Sequence, residues 1–244
     1  MSFVKLLLKS LQGKNIKLGF GFLLLLILLL GSVSTQINIA LSYKFSQDLT
    51  LSLEAFILHA ASILAAINLM ANEKIRNYAL ACGVKRANFI MAIFAAIFCI
   101  CAIISISFSV VNITVFAFLQ NSIWLELTMQ LWLFCLSATL FGCLFITLCF
   151  LFKSFGAFFY TIILFLAGSS SVVLYNLLQE NSIVGAKLIF WIVPNFELFN
   201  MLGTLTSGAN FNFFTIGIWA FLYFILYISA LLIVAILAFK NRAL

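Results

Sequence analysis

Residues 89–116 read FIMAIFAAIFCICAIISISFSVVNITVF, twenty-eight positions without a charge. A helix needs about 20 consecutive apolar residues to cross the hydrocarbon core of a bilayer. This stretch is long enough for one crossing, and the whole uncharged interval between Arg86 and Glu126 is too short for two crossings and a turn. Reading outward from charge to charge gives five more candidates of the same kind. They run over Leu18–Leu41, Leu53–Ala71, Leu127–Phe152, Ala157–Leu178 and Phe213–Phe239. Lys153, Ser154 and Gly156 form a tight turn between two of them, and Lys240 to Leu244 is a short tail.

Composition agrees. The chain has 244 residues, of which 66% are hydrophobic and 8% charged, with a mean hydropathy of +1.26. Soluble domains carry roughly a quarter charged residues, so a water-exposed surface of this size could not be covered. An ordinary cytosolic enzyme, a disordered chain and a nucleic-acid-binding domain are excluded on that ground. The segments do not alternate in the ~10-residue pattern of a membrane barrel. The expected fold is an all-α integral membrane protein, a single transmembrane domain over residues 1–244 with six transmembrane helices.

The net charge of +7 acquires meaning once the charges are sorted by side. With the N-terminus inside, Lys5, Lys9, Lys14, Lys17, Lys74, Arg76, Lys85, Arg86, Lys153, Lys240 and Arg242 fall on the inner face, 11 of the 13 basic residues. Lys44 and Lys187 fall outside, as do the acids Asp48, Glu54, Glu126, Glu180 and Glu197; Glu73 is inner. Cytoplasmic loops carry the excess of Lys and Arg, so the expected topology has both termini cytoplasmic, in the inner or plasma membrane. Residues 3–11 place Phe3, Leu7 and Leu11 apart from Lys5 and Lys9, which suits an interfacial helix or a plain basic flank. The four lysines, the apolar Leu18–Leu30 run and Ser32-Val33-Ser34 also resemble a signal peptide. The long basic region and the apolar continuation to Leu41 favour a retained span.

The inner loop after the second span is the most informative polar segment. Ile75, Tyr78, Ala79 and Cys82 share a helical face, Gly83 suits a C-cap, and Val84-Lys85-Arg86 leads into the next helix. A partner protein can dock such a helix in a groove; the bland alternative is that Lys74, Arg76, Lys85 and Arg86 only anchor the loop. The outer segment 179–212 holds apolar runs too short to span, broken at Pro194. It suits short helices dipping into the outer leaflet, or an interfacial loop anchored by Trp191.

These two segments resemble those of ABC-type transporter permeases of the type-2 exporter class. The carriers of the resemblance are the acidic start at Glu73 with Gly83-Val84-Lys85-Arg86-x-x-Phe89, and Pro194-Asn195-Phe196-Glu197-Leu198-Phe199, similar to a P-N-x-x-x-F stretch. The resemblance implies a dimer with a second permease copy or a paralogue, and a separate ABC ATPase subunit that binds ATP and Mg. It makes Glu73, Lys74, Arg76, Tyr78, Lys85 and Arg86 the coupling residues, and Trp191, Pro194, Asn195, Phe196 and Glu197 an outer gate. No cofactor is expected on this chain, which has no G-x-x-x-x-G-K-[ST] loop; membrane lipid is an expected partner and nucleic acid is not.

Polar residues inside the spans are few. His59 suits an interhelical hydrogen bond better than a proton relay, because no carboxylate lies near the middle of a span. Ser105, Ser109 and Asn112 form a stripe that serves a polar path or helix packing, and Gly168-Ser169-Ser170-Ser171 reads as close packing. The six cysteines include no C-x-x-C pair and read as small buried apolar groups. No hydrolase or metalloprotease motif occurs, and an enzyme is not expected. The alternatives are a polytopic scaffold or assembly factor, and a secondary transporter. The second would call for internal symmetry and broken helices at the midplane.

Overall fold

A computed structural model describes residues 43–71, 84–118, 124–152, 154–170, 193–199 and 213–241. The described residues are helical with no strand. Helices α1 (Tyr43–Ala71), α2 (Arg86–Phe118) and α3 (Trp124–Leu151) are followed by α4 (Ser154–Ser169), a short 3-10 helix (Glu197–Phe199) and α5 (Phe213–Asn241). Four of these, α1, α2, α3 and α5, are long and apolar enough to cross a membrane. They correspond to the second, third, fourth and sixth expected spans. The first span and the interfacial helix before it lie outside the described residues.

The fifth expected span is where the helix differs most from the sequence reading. α4 has 16 residues, about 24 Å at 1.5 Å per residue, short of a ~30 Å hydrocarbon core. It ends at Ser169 rather than running unbroken to Leu178. At its last turn the Gly168 carbonyl accepts the Phe196 N–H at 3.2 Å.

Four of the buried hydroxyls in these helices share one arrangement. A hydroxyl with no water to meet bonds back to its own helix. Ser109 donates to Ser105 O at 2.8 Å, Thr139 to Cys135 O at 2.8 Å, Thr147 to Cys143 O at 2.8 Å and Thr161 to Ala157 O at 2.7 Å. The five described cysteines are free thiols, four of them buried.

The chain divides into two compact units, residues 1–142 and 143–244, with the division inside α3. In the first unit α1 packs along α2. The buried face of α1 carries Leu51, Leu58, Ala61, Ala65 and Leu69 at helical spacing, and Phe56, Leu64 and Ile67 point out. The buried face of α2 carries Phe89, Ile93, Ile97, Ile104 and Phe108. Small residues let the backbones approach, the usual basis of helix association in lipid. At Gly142 of α3 an added Cβ would collide with Ser62 Oγ and lie 3.2 Å from Ile97.

In the second unit, α5 presents a narrow buried strip of Ala220, Leu231, Ala235 and Phe239, and Phe239 stacks against Phe150 at 5.0 Å between centroids. Trp219, Phe221, Leu226 and Leu237 of the same helix are exposed and apolar. Lipid solvates such a surface.

Candidate functional site

The polar groups of the first unit form a ladder between helices. Glu54 of α1 is buried at 4% exposure, and Asn112 Nδ2 donates to its Oε1 at 3.1 Å and its Oε2 at 3.3 Å. Nearer the other end of α1, His59 Nδ1 meets Ala55 O at 2.7 Å and Nε2 meets Ser137 Oγ of α3 at 2.9 Å. A carbonyl can only accept, so Nδ1 carries the hydrogen, and the neutral ring accepts the Ser137 hydroxyl at Nε2. The ring also tilts over Phe141 at 5.6 Å. Next, Ser62 donates to Ala138 O at 2.5 Å.

These pairs fix the register. Residues 59 and 62 of α1 meet 137 and 138 of α3, so α1 and α3 run the same way. Residue 54 meets 112 of α2, while Ile97 and Ser62 flank the same position on α3, so α2 runs the opposite way. That register brings Gln130, buried and partnered, to about the level of Glu54.

Of the expected polar stripe, Ser105, Ser109 and Asn112 are all buried on one face of α2. Ser109 donates to the Ser105 carbonyl of its own helix, and Asn112 donates across to Glu54 of α1. Ser105 Oγ makes no well-formed hydrogen bond and faces the Cys135 thiol. Glu54, by sequence an acid near the outer end of its span, has its carboxyl buried on the α1 face that carries Leu51 and Leu58. Ser62 and Ser137 were also not singled out.

Two further places hold expected site residues. At the start of α2 the Lys85 carbonyl accepts the Phe89 N–H at 3.1 Å, closing the first turn. Phe89 is buried, Arg86 half-buried and Lys85 exposed. Glu73, Lys74, Arg76 and Tyr78 lie outside the described residues.

The second place is residues 193–199, described without Trp191, which also lies outside. Pro194 and Phe196 are buried and Asn195 and Glu197 are half-buried. An added Cβ on Gly168 would collide with Pro194 O, so glycine permits this approach. The Phe196 ring sits 4.9 Å from that of Phe165. Asn195 Oδ1 accepts the Leu198 N–H at 3.3 Å, an Asx cap on the 3-10 helix. The Asn195 N–H donates to Tyr223 OH of α5 at 2.7 Å, and Phe199 is buried against Tyr223 with centroids 6.1 Å apart. Gly168 is legible in the sequence as a packing glycine, but Tyr223 is not, since nothing local distinguishes it from Tyr227, the other tyrosine of α5.

Removing that phenol oxygen gives a small, local prediction. Tyr223→Phe is expected to cost about 1 kcal/mol and to speed amide exchange at Asn195, read by hydrogen–deuterium exchange of the purified chain. Unchanged exchange at Asn195 would mean that the phenol does not hold the segment.

Among the described residues no group of His, Cys, Asp and Glu is placed to hold a metal ion. No protein-family model, curated protein or solved structure matches the chain.

Proposed function

We propose that this chain is the membrane-spanning permease subunit of an ATP-driven ABC exporter, with six spans, cytoplasmic termini and a separate ATPase subunit as motor. The observation that carries the reading is the start of α2. In Gly83-Val84-Lys85-Arg86-x-x-Phe89, the buried Phe89 locks the first turn into the core and leaves the Lys85 head exposed at the helix end. A rigid basic end of this kind transmits a push along α2 instead of absorbing it. The docked Pro194–Phe199 segment supports the same reading as an outer closure whose resemblance-bearing residues Pro194 and Phe199 are buried and whose Asn195 forms the cap. A second permease copy completes the working unit, and the substrate path lies between copies or within each.

Co-expression with candidate ATPase subunits and purification in mild detergent tests this. An ATPase is expected to co-purify with the wild-type chain. In Glu73→Ala combined with Arg86→Ala, ATP hydrolysis is expected to lose its dependence on the permease while the pair still folds. Failure of any ATPase to co-purify counts against the exporter reading. Normal coupling in the double variant counts against the residue assignment alone.

A further inference from the structure

The Glu54–Asn112 pair has no part in the exporter reading, and its chemistry points elsewhere. Glu54 is the one acidic side chain buried among the described residues. It lies one turn inside the apolar stretch of α1 that begins at Leu51. Its carboxyl oxygens share one donor, the Asn112 amide nitrogen, and no charged group among the described residues acts on it. On α1 the nearest titratable neighbour, His59, is satisfied by Ala55 O and Ser137. The groups that α2 offers at this level, Asn112 and Ser109, are uncharged, and so is Gln130 of α3. The thiols of Cys101 and Cys135 lie further along their helices.

Ionisable groups inside a membrane mark functional sites by default, because an uncompensated charge there is expensive. A carboxylate solvated by one neutral amide, among Leu51 and Leu58, invites a positive charge to join it. Asn112 suits both states of such a site. Its Nδ2–H donates to the carboxylate, and after rotation about its terminal bond its Oδ1 accepts the O–H of the acid. An aspartate or a leucine at 112 would serve only one state or neither. We propose that Glu54 and Asn112 form a proton-accepting site buried between α1 and α2. Residues 72–85 join these two helices in the chain, so uptake and release of that proton alters the contact between the helices on either side of that connection.

Labelling of the full chain in lipid nanodiscs with dicyclohexylcarbodiimide tests the site. This apolar reagent forms stable adducts with carboxylic acids that water does not reach. Peptide mass mapping is expected to find the adduct on Glu54, with yield falling as the buffer goes from acidic to alkaline, and to find none there in Glu54→Gln. A water-soluble carbodiimide is expected to leave Glu54 unmodified. No adduct on Glu54 in the wild-type chain overturns the proposal, and so does a yield that ignores pH. Protection of Glu54 by sodium or potassium ions at fixed pH also overturns it, in favour of a metal-cation site. None of these readouts depends on an ATPase, so their failure leaves the exporter reading untouched.

Discussion

Gly168→Val is expected to expel residues 193–199 from their place against α4 and α5. The added Cβ would collide with the Pro194 carbonyl oxygen and lie 2.8 Å from Phe196 Cδ2 and 3.1 Å from the Pro194 carbonyl carbon. Two of these atoms are backbone, so no rotamer change relieves the contact. The same residues carry the hydrogen bonds from Phe196 N–H to Gly168 O and from Asn195 N–H to Tyr223 OH. Overpacking costs about 1–3 kcal/mol, and each lost hydrogen bond adds about 1 kcal/mol. The sum is large beside the marginal stability of most folds. Hydrogen exchange should show Phe196 and Leu198 losing protection, with α1 and α2 retaining theirs. Gly217→Ala is the matched control, because nothing lies within 4 Å of a Cβ there. Retained protection at Phe196 in Gly168→Val would show that the close approach is not what holds the segment.

Asn112→Leu should be the most damaging single change in the first unit. It removes the donor shared by both Glu54 oxygens and leaves the carboxyl buried. A buried neutral group left unsatisfied costs about 1–3 kcal/mol, and a buried charge stripped of its partner about 3–5 kcal/mol. Ordinary interhelical hydrogen bonds in membranes average only ~0.6 kcal/mol, so the size of the loss separates the cases. Glu54→Gln keeps an acceptor for Asn112 and is expected to be mild. Glu54→Leu with Asn112→Leu should recover most of the loss, since apolar replacement of a buried polar pair is often neutral. Thermal midpoints in detergent, measured for wild type, Asn112→Leu, Glu54→Leu and the double variant, give the cycle, with Glu54→Gln beside it. A loss of only ~0.6 kcal/mol in Asn112→Leu would mean that other groups solvate the carboxyl.

Both sites show what local sequence carries and what it does not. The uncharged run at residues 89–116 is enough to place α2, and the run from Leu127 to Phe152 places α3, because length and apolarity are properties of one segment. Ser105, Ser109 and Asn112 share a face by spacing alone, but whether that face packs or opens depends on what lies opposite. Asn112 meets a residue 58 positions away. Glu54 reads as an outer-end acid because an acid one turn into a span looks the same whether it turns outward or inward. Its spacing with Leu51, Leu58, Ala61 and Ala65 was the available signal, since those residues form the buried face. Pro194 announces a break, yet the docking of its segment needs the end of α4 and the hydroxyl of Tyr223, neither of which is adjacent in the chain. At the end of α4 the Gly168 carbonyl is likewise taken by a residue distant in the chain, Phe196.

The ladder along α1 also sets a timetable for biosynthesis. α1 is the least apolar of the four membrane-length helices, and it carries Glu54, His59 and Ser62, whose interhelical partners Asn112, Ser137 and Ala138 all lie later in the chain. When α1 leaves the ribosome those partners have not been made. Until α2 supplies Asn112 and α3 supplies Ser137 and Ala138, α1 lacks these interhelical bonds. The hold on α1 is thus completed only when α3 has been made, and truncation before α3 is expected to raise labelling of α1 side chains from water.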